Sequence, residues 1–221
     1  MKLTASYNPA RDAENHVLAI YDQIYKSHGR TDMREKLLGQ VESPAIREAL
    51  EQAKTREEAL ERVTAELTGI HQKNNGELGV KAEKLMAAWE KAGKQIEWQL
   101  AFLYQQKFSF EEVSIDLTTI PICPYNFKTK QIFVHAKAPV QIQLNILAHE
   151  LNHFMFYFYY HKLREELGDD KFELLKESLT LFTNPEQAGK PDEKPLRDLF
   201  LSKSYNNLNE AIEDGKRLLI N

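Results

Sequence analysis

Residues 146–162 read ILAHELNHFMFYFYYHK, and three of them stand out against the rest. His149, Glu150 and His153 sit inside one of the most apolar segments of the chain. Burying polar or ionisable groups costs several kcal/mol unless they are paired or bound to a metal. The spacing is H-E-x-x-H. On a helix, residues four apart stack on one face about a turn from each other, so His149 and His153 can present two imidazoles to one ion. Glu150, offset by one position, reaches a water at an open coordination place rather than the ion itself. Two histidines, an open place and a neighbouring carboxylate are what a zinc hydrolase requires. The competing structural reading is a pair of core-edge histidines satisfied by backbone carbonyls. The context favours the metal: a strand precedes the motif, a long helix surrounds it, and Ile146, Leu147, Leu151 and Phe154 set it against a core.

A catalytic zinc of this kind takes a third protein ligand. The pattern H-E-x-x-H-x-x-G-x-x-H would need glycine at Phe156 and histidine at Tyr159, and neither is present. His161 lies two helical turns beyond His153, too far along the axis to share the ion. The ligand is therefore expected from the next helix, in 169-DDKFELLKESLTLFTN-184. Two residues qualify there: Glu173, 20 positions after His153, and Glu177, 24 after.

At this point the chain resembles the gluzincins, H-E-x-x-H metallopeptidases whose third zinc ligand is a glutamate on a following helix. Members of that superfamily often follow this glutamate with a small residue, an apolar residue and Ala or Thr. Glu177-Ser178-Leu179-Thr180 matches that pattern and Glu173-Leu174-Leu175 does not. The resemblance thus implies one zinc on His149, His153 and Glu177, Glu150 as general base, and Glu173 as a supporting residue one turn away or the alternative ligand. It also implies a zincin-like fold: backing helix (about 77–106), small sheet (about 112–136), active-site helix, glutamate helix. In such enzymes a strand before the active-site helix binds substrate backbone by strand addition, and 130-KQIFVHA-136 stands in that position. A tyrosine often donates to the developing oxyanion. Tyr205 is the preferred candidate, ahead of the FMFYFYYH cluster, and Asn152 reads as a helix-surface residue. The resemblance spans roughly residues 77–183.

Periodicity supplies the remaining elements. Asn8 and Pro9 open a helix expected to reach Gly29, with Val17, Leu18, Tyr21, Ile24 and Tyr25 on its apolar stripe. A short helix is expected over 32–38, and Ala59, Leu60, Val63, Leu67 and Ile70 mark another. NNGELG is a turn, followed by a helix of about 28 residues that Gly93 could bend. FEEVSIDLTTI alternates as a half-buried strand, PICPYNFKTK reads as a loop, and QIFVHA as a second strand. Pro139 begins a helix expected to run to Leu167. A further helix covers DKFELLKESLTLF, and the tail reads as two short helices. The expected fold is α+β, mostly helical, with residues 1–75 a helical N-terminal region and 76–221 the zincin-like domain.

Composition narrows the partners. A formal charge of −4 over 221 residues gives no case for nucleic acid or an anionic membrane. No run reaches the about 18 apolar residues that span a bilayer. The N-terminus lacks the apolar core of a signal peptide, and Cys123 is the single cysteine, so a reducing, cytoplasmic setting is expected. The implied activity is zinc-dependent hydrolysis of a peptide or protein substrate. The alternatives are a zincin-fold regulatory or protein-binding module with little turnover, and hydrolysis of a non-peptide amide. The N-terminal helices carry no chemical motif and could wall a cleft, act as an inhibitory pro-segment, or dock a regulatory protein.

Overall fold

The computed structural model describes residues 1–23, 33–74, 76–186 and 188–220. It is a helix-rich α+β chain with one mixed four-stranded sheet. The chain divides into two compact units, each discontinuous in sequence: Lys2–Trp89 with Glu112–Leu144, and Met1 with Glu90–Glu111 and Asn145–Asn221.

The first unit holds the sheet. Its strands are β1 (Lys2–Ser6), β2 (Glu112–Thr118), β3 (Tyr125–Asn126) and β4 (Gln131–His135), in the order β1-β2-β4-β3. β1 is a strand where a helical N-terminal region was expected. Leu3 is its only strongly apolar residue, so the sequence carries almost no alternation there. Its conformation comes from parallel pairing with β2, Leu3 opposite Val113 and Ala5 opposite Ile115. β4 pairs parallel with β2, whereas β3 runs antiparallel to β4 and covers its start at Gln131 and Ile132. Phe133 N also donates to Pro124 O at 2.9 Å. The segment expected to offer an open edge is thus paired over 131–133.

Among the described residues this unit also holds α1 (Pro9–His16), α2 (Met33–Gln40), α3 (Pro44–Gln52) and α4 (Arg56–Lys73), and the first part of the helix that follows, up to Trp89. Asn8 caps α1 through Oδ1, which accepts from Ala10 N at 2.9 Å, and Pro9 takes the first position as expected. α1 then widens into a π turn over Val17–Tyr21. The expected continuation through Ile24, Tyr25 and Gly29, and the start of α2 at Asp32, lie outside the described residues. Ala13, Val17, Ile20, Leu50, Val63 and Leu67 join Ile120 and Ile122 in the core. β2 is buried on both faces, not one. Thr118 is fully buried because its Oγ1 donates to Asp12 Oδ1 at 2.7 Å, while Thr119 N and Oγ1 donate to the two oxygens of Asp12 at 3.0 and 2.8 Å. A buried carboxylate is tolerated when its lone pairs are filled in this way.

The second unit carries the motif. α5 (Glu77–Tyr104) runs through Gly93 as one helix and belongs to this unit from Glu90, and α6 (Val140–Tyr160), which belongs to it from Asn145, bears His149 to His153. Within this unit Tyr104 OH donates to Asn152 Oδ1 at 2.6 Å. Asn152 is 1% exposed, which corrects its reading as a surface residue. Leu147, Leu151, Phe154 and Met155 are fully buried, and Phe110 packs edge-on against Phe154. The helix ends at Tyr160, earlier than expected, and a turn at His161–Lys162 leads into α7 (Leu163–Leu167). Gly168, at φ +75°, provides the left-handed residue that separates α7 from α8 (Asp169–Ser178). α8 tightens into a 3-10 turn over Leu179–Phe182, and α9 (Lys194–Leu201) and α10 (Leu208–Ile220) form the tail. Among the described residues no helix is long and apolar enough to cross a membrane.

Candidate metal centre

α6 and α8 bring three side chains together. His149, His153 and Glu177 each offer a ligand atom, and these atoms all lie within 4.8 Å of one another. The imidazoles stand edge to face with centroids 4.5 Å apart, as i,i+4 spacing on a helix dictates. His153 Nε2 is 3.4 Å from Glu177 Oε1. His153 is 1% exposed, whereas His149 is partly open. Behind Glu177, Ser178 is fully buried and its Oγ donates to Leu174 O at 2.8 Å.

His153 and Glu177 stand in the protonation states a metal ligand needs. Burial is the main reason that His153 holds protons well below the ordinary histidine range, helped by the nearby Lys176 and His149. It therefore stands neutral, the form a ligand must take. Burial alone would raise Glu177, but Lys176, Lys190 and His149 outweigh it and keep the carboxylate ionised. Glu150 is pushed well above the usual carboxylate range, first by burial and then by the charge of Glu177, against a partial offset from Lys176. Its buried Oε2 has no hydrogen-bond partner among the described residues. An acid oxygen left in that condition next to two imidazoles and a carboxylate fits a site that takes a divalent ion and water. A nitrogen, nitrogen, oxygen donor set suits zinc among the common ions.

The other sequence candidates fall outside this cluster. Glu173, one turn before Glu177 on α8, is held by three donors: Tyr157 OH, Arg164 Nη2 at 2.7 Å and Lys176 Nζ at 2.6 Å. Its oxygens face that network. Tyr205 packs against Phe182 and Phe200, and its hydroxyl donates to Asp214 Oδ2 at 3.3 Å. Tyr159 donates to Lys107 O and Tyr160 to Asn209.

Residues that the motif did not indicate complete the surroundings. Lys176 is 3% exposed and lies 3.2 Å from Glu177 Oε1, and Lys190 approaches Glu177 Oε2 at 3.6 Å. A groove of about 340 Å³ is lined by Ala148, the residue before His149, with Trp98, Phe102 and Phe182 among others. Trp98 and Phe102 stack 5.4 Å apart and are more than half exposed. Comparison with protein-family models, curated proteins and solved structures finds no match.

Proposed function

We propose that the chain is a zincin-like metallopeptidase of gluzincin type, with zinc on His149, His153 and Glu177. The observation that carries this reading is the convergence of those three side chains on one another, beside a buried Glu150 whose Oε2 has no hydrogen-bond partner among the described residues. His149, His153 and Glu177 would hold the ion, which when bound would supply Lewis acidity toward water and the substrate carbonyl. Glu150 takes the proton of the attacking water as the oxygen bonds to the carbonyl carbon, then delivers it to the amine as the C–N bond breaks. Its raised proton affinity matches that double duty, since a carboxylate at the usual value is a weak base near neutral pH. The groove that Ala148 helps to line, with aromatic side chains beside polar Gln99 and Thr183, offers room for a peptide substrate. Glu173, with Tyr157 and Arg164, braces α8 so that Glu177 keeps its orientation.

The test is turnover of a mixed peptide pool by zinc-loaded protein, wild type beside Glu150→Gln. Loss of a charged base at constant zinc content is expected to lower turnover by about 10²-fold or more. Zinc-loaded wild type that cleaves nothing, with Glu150→Gln binding zinc equally, would instead support the regulatory module.

A further inference from the structure

The carboxylate proposed as third ligand is already faced by positive charge on both oxygens. Lys176 Nζ lies 3.2 Å from Oε1, the same oxygen that faces His153 Nε2 at 3.4 Å. Lys190 Nζ lies 3.6 Å from Oε2. Both lysines are held in place by other groups. The Lys176 side chain is 4% exposed and is anchored by Glu173 Oε2 at 2.6 Å. Lys190 also faces Glu193 Oε1 at 3.8 Å. The preceding Gly189 packs so closely that an added Cβ would come within 2.3 Å of Arg197 Cδ and 2.8 Å of Glu193 Oε2.

We propose that Lys176 and Lys190 compete with the metal ion for Glu177 and set the affinity of the site below that of an unopposed His-His-Glu set. The inference rests on the metal-site reading above. An ion approaching Glu177 must either share each oxygen with an ammonium group or displace it, and like charges a few ångströms apart repel in a partly buried site. With no ion bound, the same lysines neutralise a carboxylate that would otherwise be buried unpaired. The metal is therefore exchangeable, and the empty site keeps its shape.

A purely positioning role makes the opposite prediction, because removing a brace from Glu177 loosens the ligand and weakens binding. The experiment is zinc affinity at fixed neutral pH, by competition with a chromophoric chelator, for the full chain as wild type, Lys190→Met and Lys176→Met. Each substitution is expected to tighten zinc binding by at least about tenfold. Structural damage does not produce a gain in affinity. Lys190 is about one-third exposed, so its variant serves if Lys176→Met fails to fold; in that variant Glu173 keeps Tyr157 and Arg164. Wild type that binds zinc alongside variants of equal or weaker affinity overturns the competition and leaves the metal site standing. No zinc uptake by any of the three overturns the metal reading and this inference with it.

Discussion

Glu150 concentrates the electrostatic strain of the centre, and its titration gives a signed prediction. Its folded proton affinity lies well above the ordinary carboxylate value, chiefly through burial. The folded state therefore binds this proton more tightly than the unfolded chain does. The cost of Glu150 is absent below about pH 4.5 and grows as pH rises above it. In metal-free protein, Glu150→Gln is expected to raise the melting temperature by a few degrees at pH 7 and to give no gain at pH 4. An equal effect at both values would mean that the carboxyl is not buried as described. His153 shifts in the opposite direction: burial depresses its proton affinity, so on the proposed reading protons are expected to compete with zinc for it only below about pH 6.5. The paired histidines and Glu150 were legible in the sequence because i,i+4 geometry is local. Between Glu173 and Glu177, which share one face of α8, only the resemblance to the Glu-small-apolar-Thr pattern pointed to Glu177, the residue that lies with His149 and His153. Lys176 did leave a signal: Phe172, Leu175 and Leu179 form an apolar stripe at 3-4 spacing, and Lys176 lies on it. Lys190 sits in a Pro/Gly loop with no periodicity to reveal its place.

At the scale of elements, the junction between α5 and α6 inside the second unit depends on one buried polar contact. Tyr104 is fully buried and its hydroxyl meets Asn152 Oδ1 at 2.6 Å. Tyr104→Phe leaves that acceptor unsatisfied and is expected to cost about 1–3 kcal/mol, measured by urea unfolding. A change below about 0.5 kcal/mol would show that water replaces the hydroxyl. Long amphipathic helices such as α4 and α5 were readable from their stripes. Their ends were less so: α6 stops at Tyr160 although Leu163 and Leu167 keep helical spacing beyond it, and Gly168 ends α7 by its positive φ. β1 and β3 were hidden for a different reason. β1 exists through pairing with β2 more than 100 positions away and has only Leu3 as a strongly apolar residue, and β3, which pairs with the adjacent β4, is two residues long, too short to show alternation.

Over the whole molecule, grouping by contact divides α5 after Trp89 and α6 after Leu144, and no turn or composition shift marks either place. Long-range polar contacts within the first unit are equally silent in the sequence. Asp12 accepts from Thr118 and Thr119 more than 100 positions away. Asp12→Ala strands the buried Thr118 hydroxyl and the partly buried donors of Thr119, and is expected to destabilise the first unit by about 1–3 kcal/mol. All residues of the metal centre belong to the second unit, so zinc content at low temperature is expected to stay unchanged in this variant.

The first measurement is zinc per chain by elemental analysis for wild type, Glu177→Ala and Glu173→Ala, each offered zinc at neutral pH. About one zinc in wild type, lost with Glu177→Ala and retained with at most a 10–100-fold weaker affinity in Glu173→Ala, is expected. Loss chiefly with Glu173→Ala would move the ligand, and wild type that takes up no zinc would contradict the metal centre altogether.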